Sequence, residues 1–303
     1  MTPAEHHAYR TNVIISILLT CAGYALYNIG DAAIKIMASK YHFSQLFFTN
    51  GVVIITFMLI YGWNKDGKKA FRTKKPGLIF LRASIAQIVS LFNLTALPHI
   101  PLTTFYTIIF TSPFCVALLS AYFLGDKLNA RRMFVILAGF AVILFMFRPG
   151  GALLNVWSGF VLMSSFLYAG QMVLIRHIGS SESRPFMILC GSALSLIIAA
   201  PFLPSHYISP TPYEWGLFLM MGLTSGVGLL CLTHAFQSAP SASIVAPYHY
   251  TQIVWGALLG YFIFHEIPKS EVVIGASLII LSGIYLIHCE TRRFAGTLKP
   301  LKG

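Results

Sequence analysis

Residues 13–38 read VIISILLTCAGYALYNIGDAAIKIMA. Val13 to Gly30 carries no charge, and the run exceeds the roughly 20 residues that an α-helix needs to cross a hydrocarbon layer. It is longer than the apolar core of a secretory signal, and polar residues enter its second half, so it reads as an uncleaved span. Further runs follow at 44–63, 77–97, 101–123, 132–147, 156–175, 185–203, 214–236, 242–264 and 271–288, punctuated by Pro, Gly or charged residues. Ten runs in 303 residues leave no room for a separate soluble domain. The composition agrees: 56% hydrophobic and 10% charged residues cannot clothe a water-soluble globule, and the same apolar excess excludes intrinsic disorder. Lipid offers the backbone no hydrogen-bond partner, so only helices and closed barrels span it, and continuous runs of this length do not alternate as barrel strands do. The expected fold is all-α and integral to the membrane, with ten transmembrane helices.

The net charge of +12 could suggest nucleic-acid binding, but 16 of the 21 Lys and Arg fall at the termini or in alternate short loops. Lys65, Lys68, Lys69, Arg72, Lys74 and Lys75 lie between spans two and three, Lys127, Arg131 and Arg132 between four and five, and Arg176 and Arg184 near the sixth connection. Arg292, Arg293, Lys299 and Lys302 follow the last span, whereas the opposite side receives Lys40, Arg148 and Lys269. That bias is the one that orients membrane helices; it predicts both termini in the cytoplasm and gives no reason to expect nucleic acid as a partner. Trp63, Trp157 and Trp215 fall at span ends, where an amphipathic ring prefers the headgroup layer. The five cysteines sit in or beside apolar runs without a CxxC pair, and the ten histidines are scattered, so neither a disulfide framework nor a metal site is expected.

Shifting the sequence on itself by about 140 residues reveals a repeat. At one offset Gly77-Leu78 meets Gly216-Leu217, Ala96 meets Ala235, Pro101 meets Pro240 and Tyr122-Phe123 meets Tyr261-Phe262; two residues further, Leu26-Tyr27 and Lys35 meet Leu167-Tyr168 and Arg176. The expected organisation is a five-helix repeat at 1–148, a second at 149–290 and a cytoplasmic tail at 291–303. Five is odd, so the second half enters the membrane from the other side, the inverted repeat typical of secondary transporters.

Ala96-Leu97 through Pro101 to Ala121-Tyr122-Phe123-Leu124-Gly125-Asp126, and Ala235-Phe236 through Ala246-Pro247-Tyr248 to Gly260-Tyr261-Phe262-Ile263-Phe264-His265-Glu266, resemble the two EamA-type repeats of the drug/metabolite transporter superfamily. Ala246-Pro247-Tyr248-His249-Tyr250 followed by Tyr261-Phe262-Ile263-Phe264 is similar to bacterial importers of S-adenosylmethionine or riboflavin. The resemblance implies carrier-mediated passage of a small organic solute through the inner membrane, without ATP and with no cofactor. No phosphate-cradling Gly-rich loop ending in Lys-Ser or Lys-Thr is present, which fits.

Polar residues in a span are costly and face a protein interior or water. Tyr24, Asn28, Asp31 and Lys35 share one face of span one by their steps of four, three and four. Arg82, Ala86, Ser90 and Asn93 do so on span three, Thr104, Thr107, Thr111 and Cys115 on span four, Ser164, Tyr168 and Gln171 on span six, and His249, Gln252, Gly256 and Gly260 on span nine. These faces are expected to enclose a central cavity whose solute contacts are Tyr24, Asn28, Asp31, Lys35, Arg82, Asn93, Thr107, Thr111, Tyr168, Gln171, His249 and Gln252. Bland readings stand beside this. Thr and Gly stripes also serve helix packing, and Asp31 and Lys35, one turn apart, can form a static pair. If that pair does not form, Asp31 becomes a candidate carrier of a coupling proton. Arg82 is shallow enough to snorkel, and His249 is expected either to offer a donor or acceptor among aromatic surfaces of Tyr248 and Tyr250 suited to a flat or cationic solute, or simply to be hydrogen-bonded in place.

The reading is therefore a secondary carrier moving a small metabolite by alternating access, with lipid and solute as partners and a homodimer as a compatible assembly. The alternatives are an exporter of amino acids or drugs in the same family, and a membrane enzyme acting on lipid. The enzyme is disfavoured because none of the nine acidic residues forms a pair with catalytic spacing. Accessibility labelling of single-cysteine variants at Lys69 and Lys127 is expected to place both on one side of the membrane; opposite sides would contradict the span order.

Overall fold

The computed structural model describes residues 3–96, 99, 105, 108–126, 130–147 and 155–265, with scattered positions between 270 and 285. Among the described residues the secondary structure is helical, without a strand. The helices are α1 (Pro3–Met37), α2 (Phe43–Asp66), α3 (Pro76–Ala96), α4 (Ser112–Leu124), α5 (Ala130–Phe147), α6 (Val156–Ile178), α7 (Arg184–Ala199), α8 (Pro212–Ser238) and α9 (Thr251–Phe264). Six segments are long and apolar enough to cross a membrane: 11–37, 43–71, 76–93, 156–178, 184–206 and 212–238. Ser112–Leu124 and Met133–Phe145 are shorter apolar helices. Part of the run at 271–288 lies outside the described residues, as does the tail at 291–303; Val273, Ile274, Leu278, Ile280, Leu281, Ile284 and Tyr285 are helical and exposed.

Helix ends follow from local chemistry. Asn155 accepts from the Ser158 amide at 2.8 Å to open α6. Thr211 and Glu214 form a reciprocal capping box ahead of Pro212 in α8. Gly125 takes up φ +66 to end α4, a conformation that costs glycine nothing. Large apolar side chains such as Leu18, Phe80, Phe134 and Ile197 point outward with more than half their surface exposed, the face expected of a molecule solvated by lipid.

The span expected at 242–264 is not one continuous α-helix. A four-residue helix, Ala242–Val245, passes into a 3-10 turn at Ala246–Tyr250 before α9 begins. Pro247 supplies the reason: it lacks an amide hydrogen, so the helical ladder cannot run through it.

The bundle is built from matched contacts. α1 lies along α8 as α3 lies along α6, and α1 meets α9 as α6 meets α4. α2 packs on α7, with α8 against α2 and α3 against α7. Two glycines set the closeness of these contacts: a Cβ at Gly228 would come within 2.9 Å of the Gly23 carbonyl oxygen, and one at Gly222 within 2.4 Å of Val53 Cβ.

Polar loops tie the bundle at both ends. At one end Glu182, 5% exposed, accepts from Thr73 Oγ1 at 2.6 Å and from the Lys74 amide, while Gln237 Nε2 donates to the Gly179 carbonyl at 2.8 Å and its oxygen accepts from Arg184 Nε at 2.9 Å. At the other end Lys40 pairs with Glu214 at 2.5 Å, and Gln45 exchanges two hydrogen bonds with the Ile208 backbone. Gly222→Ala is expected to destabilise the protein by about 1–3 kcal/mol, because the added methyl overpacks the contact with α2. Thermal unfolding in detergent checks this, and an unchanged Tm would contradict the tight α2–α8 packing.

Candidate functional site

The break before α9 places His249 in the middle of the bundle. His249 is 6% exposed, and both ring nitrogens have partners: Nδ1 lies 2.9 Å from Ser112 Oγ at the start of α4, and Nε2 lies 3.0 Å from Gln252 Oε1 at the start of α9. With an amide oxygen facing Nε2, the hydrogen-bond partners assign the proton to Nε2 and make Nδ1 the acceptor of the Ser112 hydroxyl. The imidazole is thereby held at fixed orientation by one residue of each half of the chain.

Aromatic rings surround it. Tyr24 of α1 stacks on His249 with centroids 4.6 Å apart and 7° between planes. Tyr168 of α6 lies tilted at 5.4 Å, and Phe110 meets the ring edge-on at 5.7 Å. The Tyr24 and Tyr168 hydroxyls are 3.0 Å apart and share one hydrogen bond. Tyr248 and Tyr250, expected from the sequence to supply these surfaces, do not: Tyr248 packs with Val13, Ile17, Val135 and Ile244, and Tyr250 lies over Gly139 and donates to the Ile136 carbonyl at 3.1 Å. Successive residues of a 3-10 turn point about 120° apart, so neighbours in sequence face different helices.

The remaining candidates fall into three groups. Asn28 continues the stripe from Tyr24, with its amide bonded to the Tyr24 carbonyl at 2.9 Å and its oxygen 3.3 Å from where a Cβ on Gly256 would sit. Glycine at 256 is what lets α1 and α9 approach there. One turn on, Asp31 and Lys35 are exposed and make no ion pair with each other; the Lys35 ammonium lies 4.2 Å over the Phe264 ring. Among the described residues the static pair expected as one reading is not formed, and the lysine chain reaches the Phe264 ring of α9. The stripe on α1 thus runs from a buried end at Tyr24 to an open end at Asp31 and Lys35.

Arg82 does not snorkel. It is 1% exposed and its Nη1 donates to the Met187 carbonyl of α7 at 3.1 Å. Other candidates are engaged in helix contacts: Asn93 Oδ1 accepts from Ser164 Oγ across α3 and α6 at 2.5 Å, and Thr111 Oγ1 donates to the Ile108 carbonyl at 2.7 Å. Gln171 is buried on α6 at 5% exposure. Thr107 lies outside the described residues. Ser112 and Phe110 were missed. A signal for Phe110 existed, since the offset that pairs Pro101 with Pro240 also pairs Phe110 with His249.

Chemically the cluster offers flat π surfaces and hydrogen-bonding groups, with Tyr24 and Tyr168 near the middle of their apolar segments at 11–37 and 156–178. No group of three His, Cys, Asp or Glu that could hold a metal ion occurs among the described residues.

A polytopic bundle with a buried polar and aromatic knot between its helices is the architecture of a membrane carrier. Its family is shown directly: residues 12–148 and 155–288 each match the EamA-like transporter family, and the chain belongs to it. The chain is 25% identical over 273 residues to the S-adenosylmethionine uptake transporter of Rickettsia prowazekii, covering 88% of this chain and 90% of the relative. It is 27% identical to the pseudopaline exporter of Pseudomonas aeruginosa strain UCBPP-PA14, with 89% and 95% covered, and 24% identical to the riboflavin transporter of Brucella anthropi, with 75% and 82% covered. A solved crystal structure superposes with a TM-score of 0.75 at 16% identity, covering 92% of this chain and 98% of that one, so the fold is shared. The protein is a multi-pass bacterial membrane transporter of small metabolites, not an enzyme.

His249→Ala is expected to weaken solute binding roughly tenfold or more, since it removes both the stacking partner of Tyr24 and the link between halves. Binding measured on purified, folded protein checks this, and unaltered affinity would contradict a solute-contacting role for the ring.

Proposed function

We propose that the protein is a secondary carrier that imports a flat, polar metabolite across the bacterial inner membrane, its two halves rocking about the His249 cluster. The observation that carries this reading is the α1 stripe, which leads from the buried Tyr24–Tyr168–His249 knot to the open pair of Asp31 and Lys35. A solute descending that stripe reaches the aromatic rings, and its passage requires the knot to open.

The division into repeats at 1–148 and 149–290, related by inversion, draws support from the paired helix contacts: α1 on α8 is the counterpart of α6 on α3, and α1 on α9 the counterpart of α6 on α4. Phe110 and His249, equivalent under the sequence offset, touch each other as residues near a pseudo-twofold axis should. The 3-10 turn before α9 is a natural hinge. Residues 73–75, 179–184 and Gln237 gather at one end of the bundle, in line with a cytoplasmic side that holds both termini and the basic loops. The solute contacts proposed are Tyr24, Asn28, Asp31, Lys35, Arg82, Tyr168, Gln171, His249 and Gln252, with Asn93, Thr107 and Thr111 at the periphery.

Export is a second reading, favoured by the similarity to the pseudopaline exporter. Direct transport distinguishes the two. In proteoliposomes with an imposed pH gradient, inward accumulation of labelled S-adenosylmethionine or riboflavin is expected, and Asp31→Asn is expected to abolish the gradient-driven component. Gradient-driven uptake undiminished in Asp31→Asn would remove the coupling role of Asp31, and movement only outward would favour export.

A further inference from the structure

The outer face of α2 carries a feature that the solute pathway does not use. Leu59, Ile60, Trp63 and Asn64 recur on one side of the helix, and with Phe71 they line an open groove of about 350 Å³. That volume falls in the range of roughly 300–1,000 Å³ typical of small-molecule sites. The far wall is made by the chain turning back. A 3-10 turn at Gly67–Phe71 lays Ala70 and the Phe71 ring against Gly62, where an added Cβ would come within 3.2 Å of each. Leu59, Ile60 and Trp63 are about half exposed, and a Trp at a span end belongs at headgroup depth, so the groove leads from acyl chains to the membrane surface. The same turn is strongly basic: residues 65–75 hold six Lys or Arg and one carboxylate, Asp66. Among the described residues none of the six is in an ion pair. Lys65 reaches the Tyr61 hydroxyl and Lys75 the Ile178 carbonyl, whereas Lys68, Lys69 and Arg72 are exposed and stand within three residues of Phe71. Consecutive Cα atoms are about 3.8 Å apart, so these long side chains lie within reach of the groove's mouth. Glu182 of the facing loop offers them nothing, being occupied by Thr73 and the Lys74 amide.

An apolar groove that opens under a row of unpaired cations is complementary to a molecule with an acyl chain at one end and negative charge at the other. We propose that this groove binds one anionic phospholipid, its chain against Leu59, Ile60, Trp63 and Phe71 and its phosphate among Lys68, Lys69 and Arg72. A zwitterionic lipid fills the groove but brings its own cation to a basic rim, and a soluble anion matches the rim but leaves the groove unfilled. Clusters of basic residues beside a span attract anionic headgroups, and buried chain length adds to that attraction. The site also touches the bundle's architecture. Ser183 Oγ donates to the Ala70 carbonyl, so the turn that walls the groove is tied to the second half of the chain.

Trp63 reports on the groove directly, because bromine on an acyl chain quenches a tryptophan that it touches. Fluorescence of the purified full chain in mixed micelles is read with brominated phosphatidylglycerol and with brominated phosphatidylcholine of the same chains, and the share due to Trp63 is the difference from Trp63→Phe. The expected result is half-quenching of Trp63 by phosphatidylglycerol at a mole fraction roughly fivefold or more below that needed with phosphatidylcholine. That preference should be lost in the triple variant Lys68→Gln, Lys69→Gln, Arg72→Gln and kept in the charge-conserving Lys68→Arg, Lys69→Arg, Arg72→Lys. Equal quenching by the two lipids, or a preference undiminished in the glutamine variant, would overturn the headgroup role of these cations. Quenching of Trp63 by neither lipid would mean that protein, a second copy of this chain included, covers the groove, and would overturn the site. Each of these readings is independent of which solute is carried and in which direction.

Discussion

Hydrocarbon offers no hydrogen bond. Every polar group that this chain carries into the membrane must therefore find its partner inside the protein, or wait for one to arrive. The backbone solves the problem by forming helices, and most side chains avoid it by being apolar. One cluster of exceptions surrounds His249: Tyr24 and Tyr168 share a hydrogen bond, Ser112 and Gln252 face the two ring nitrogens, and the stacking of Tyr24 on the imidazole joins the two sets. Arg82 is buried against α7 with its Nε lacking a hydrogen-bond partner, and Asp31 lies exposed further along α1. Structure and transport are two aspects of this arrangement, since a network whose members are satisfied by each other can also exchange those partners for a solute.

The same constraint explains the shape of the ninth span. Pro247 interrupts the ladder in the one region where backbone groups sit among polar side chains and neighbouring helices rather than lipid. The interruption turns His249 toward the knot, while Tyr248 packs between α1 and α5 and Tyr250 packs on α5. A segment held on both sides but irregular in the middle can change its course without unfolding either end. At the bundle's ends, by contrast, Glu182 and the Lys40–Glu214 pair join loops from both halves, and these contacts must loosen if the halves are to rock.

Much of this was legible in the sequence because apolar length and helical spacing are local properties. Tyr24, Asn28, Asp31 and Lys35 announce their common face by position alone, and Trp63, Trp157 and Trp215 mark where helices end. Partners are another matter. That Lys35 lies over Phe264 rather than on Asp31, or that Arg82 is sealed under α7 rather than reaching the surface, depends on which helix lies across the way. Ser112 lies off the face shared by Thr104, Thr107, Thr111 and Cys115, and its role appears only once α4 begins opposite His249. The error over Tyr248 and Tyr250 has a geometric cause, since successive side chains of a 3-10 turn diverge by about 120° and do not line one surface.

The account stands on a water-accessible cavity between two halves that open in turn. Its most direct test is the reactivity of a cysteine at Asn28, placed in a background lacking the native thiols, toward a charged reagent that cannot cross the membrane. Labelling in right-side-out and also in inverted vesicles is the predicted result, because the stripe of α1 is exposed to each aqueous phase in turn. A position 28 that reacts from neither side would mean that this face meets lipid or sealed protein, and a carrier built around it would be ruled out.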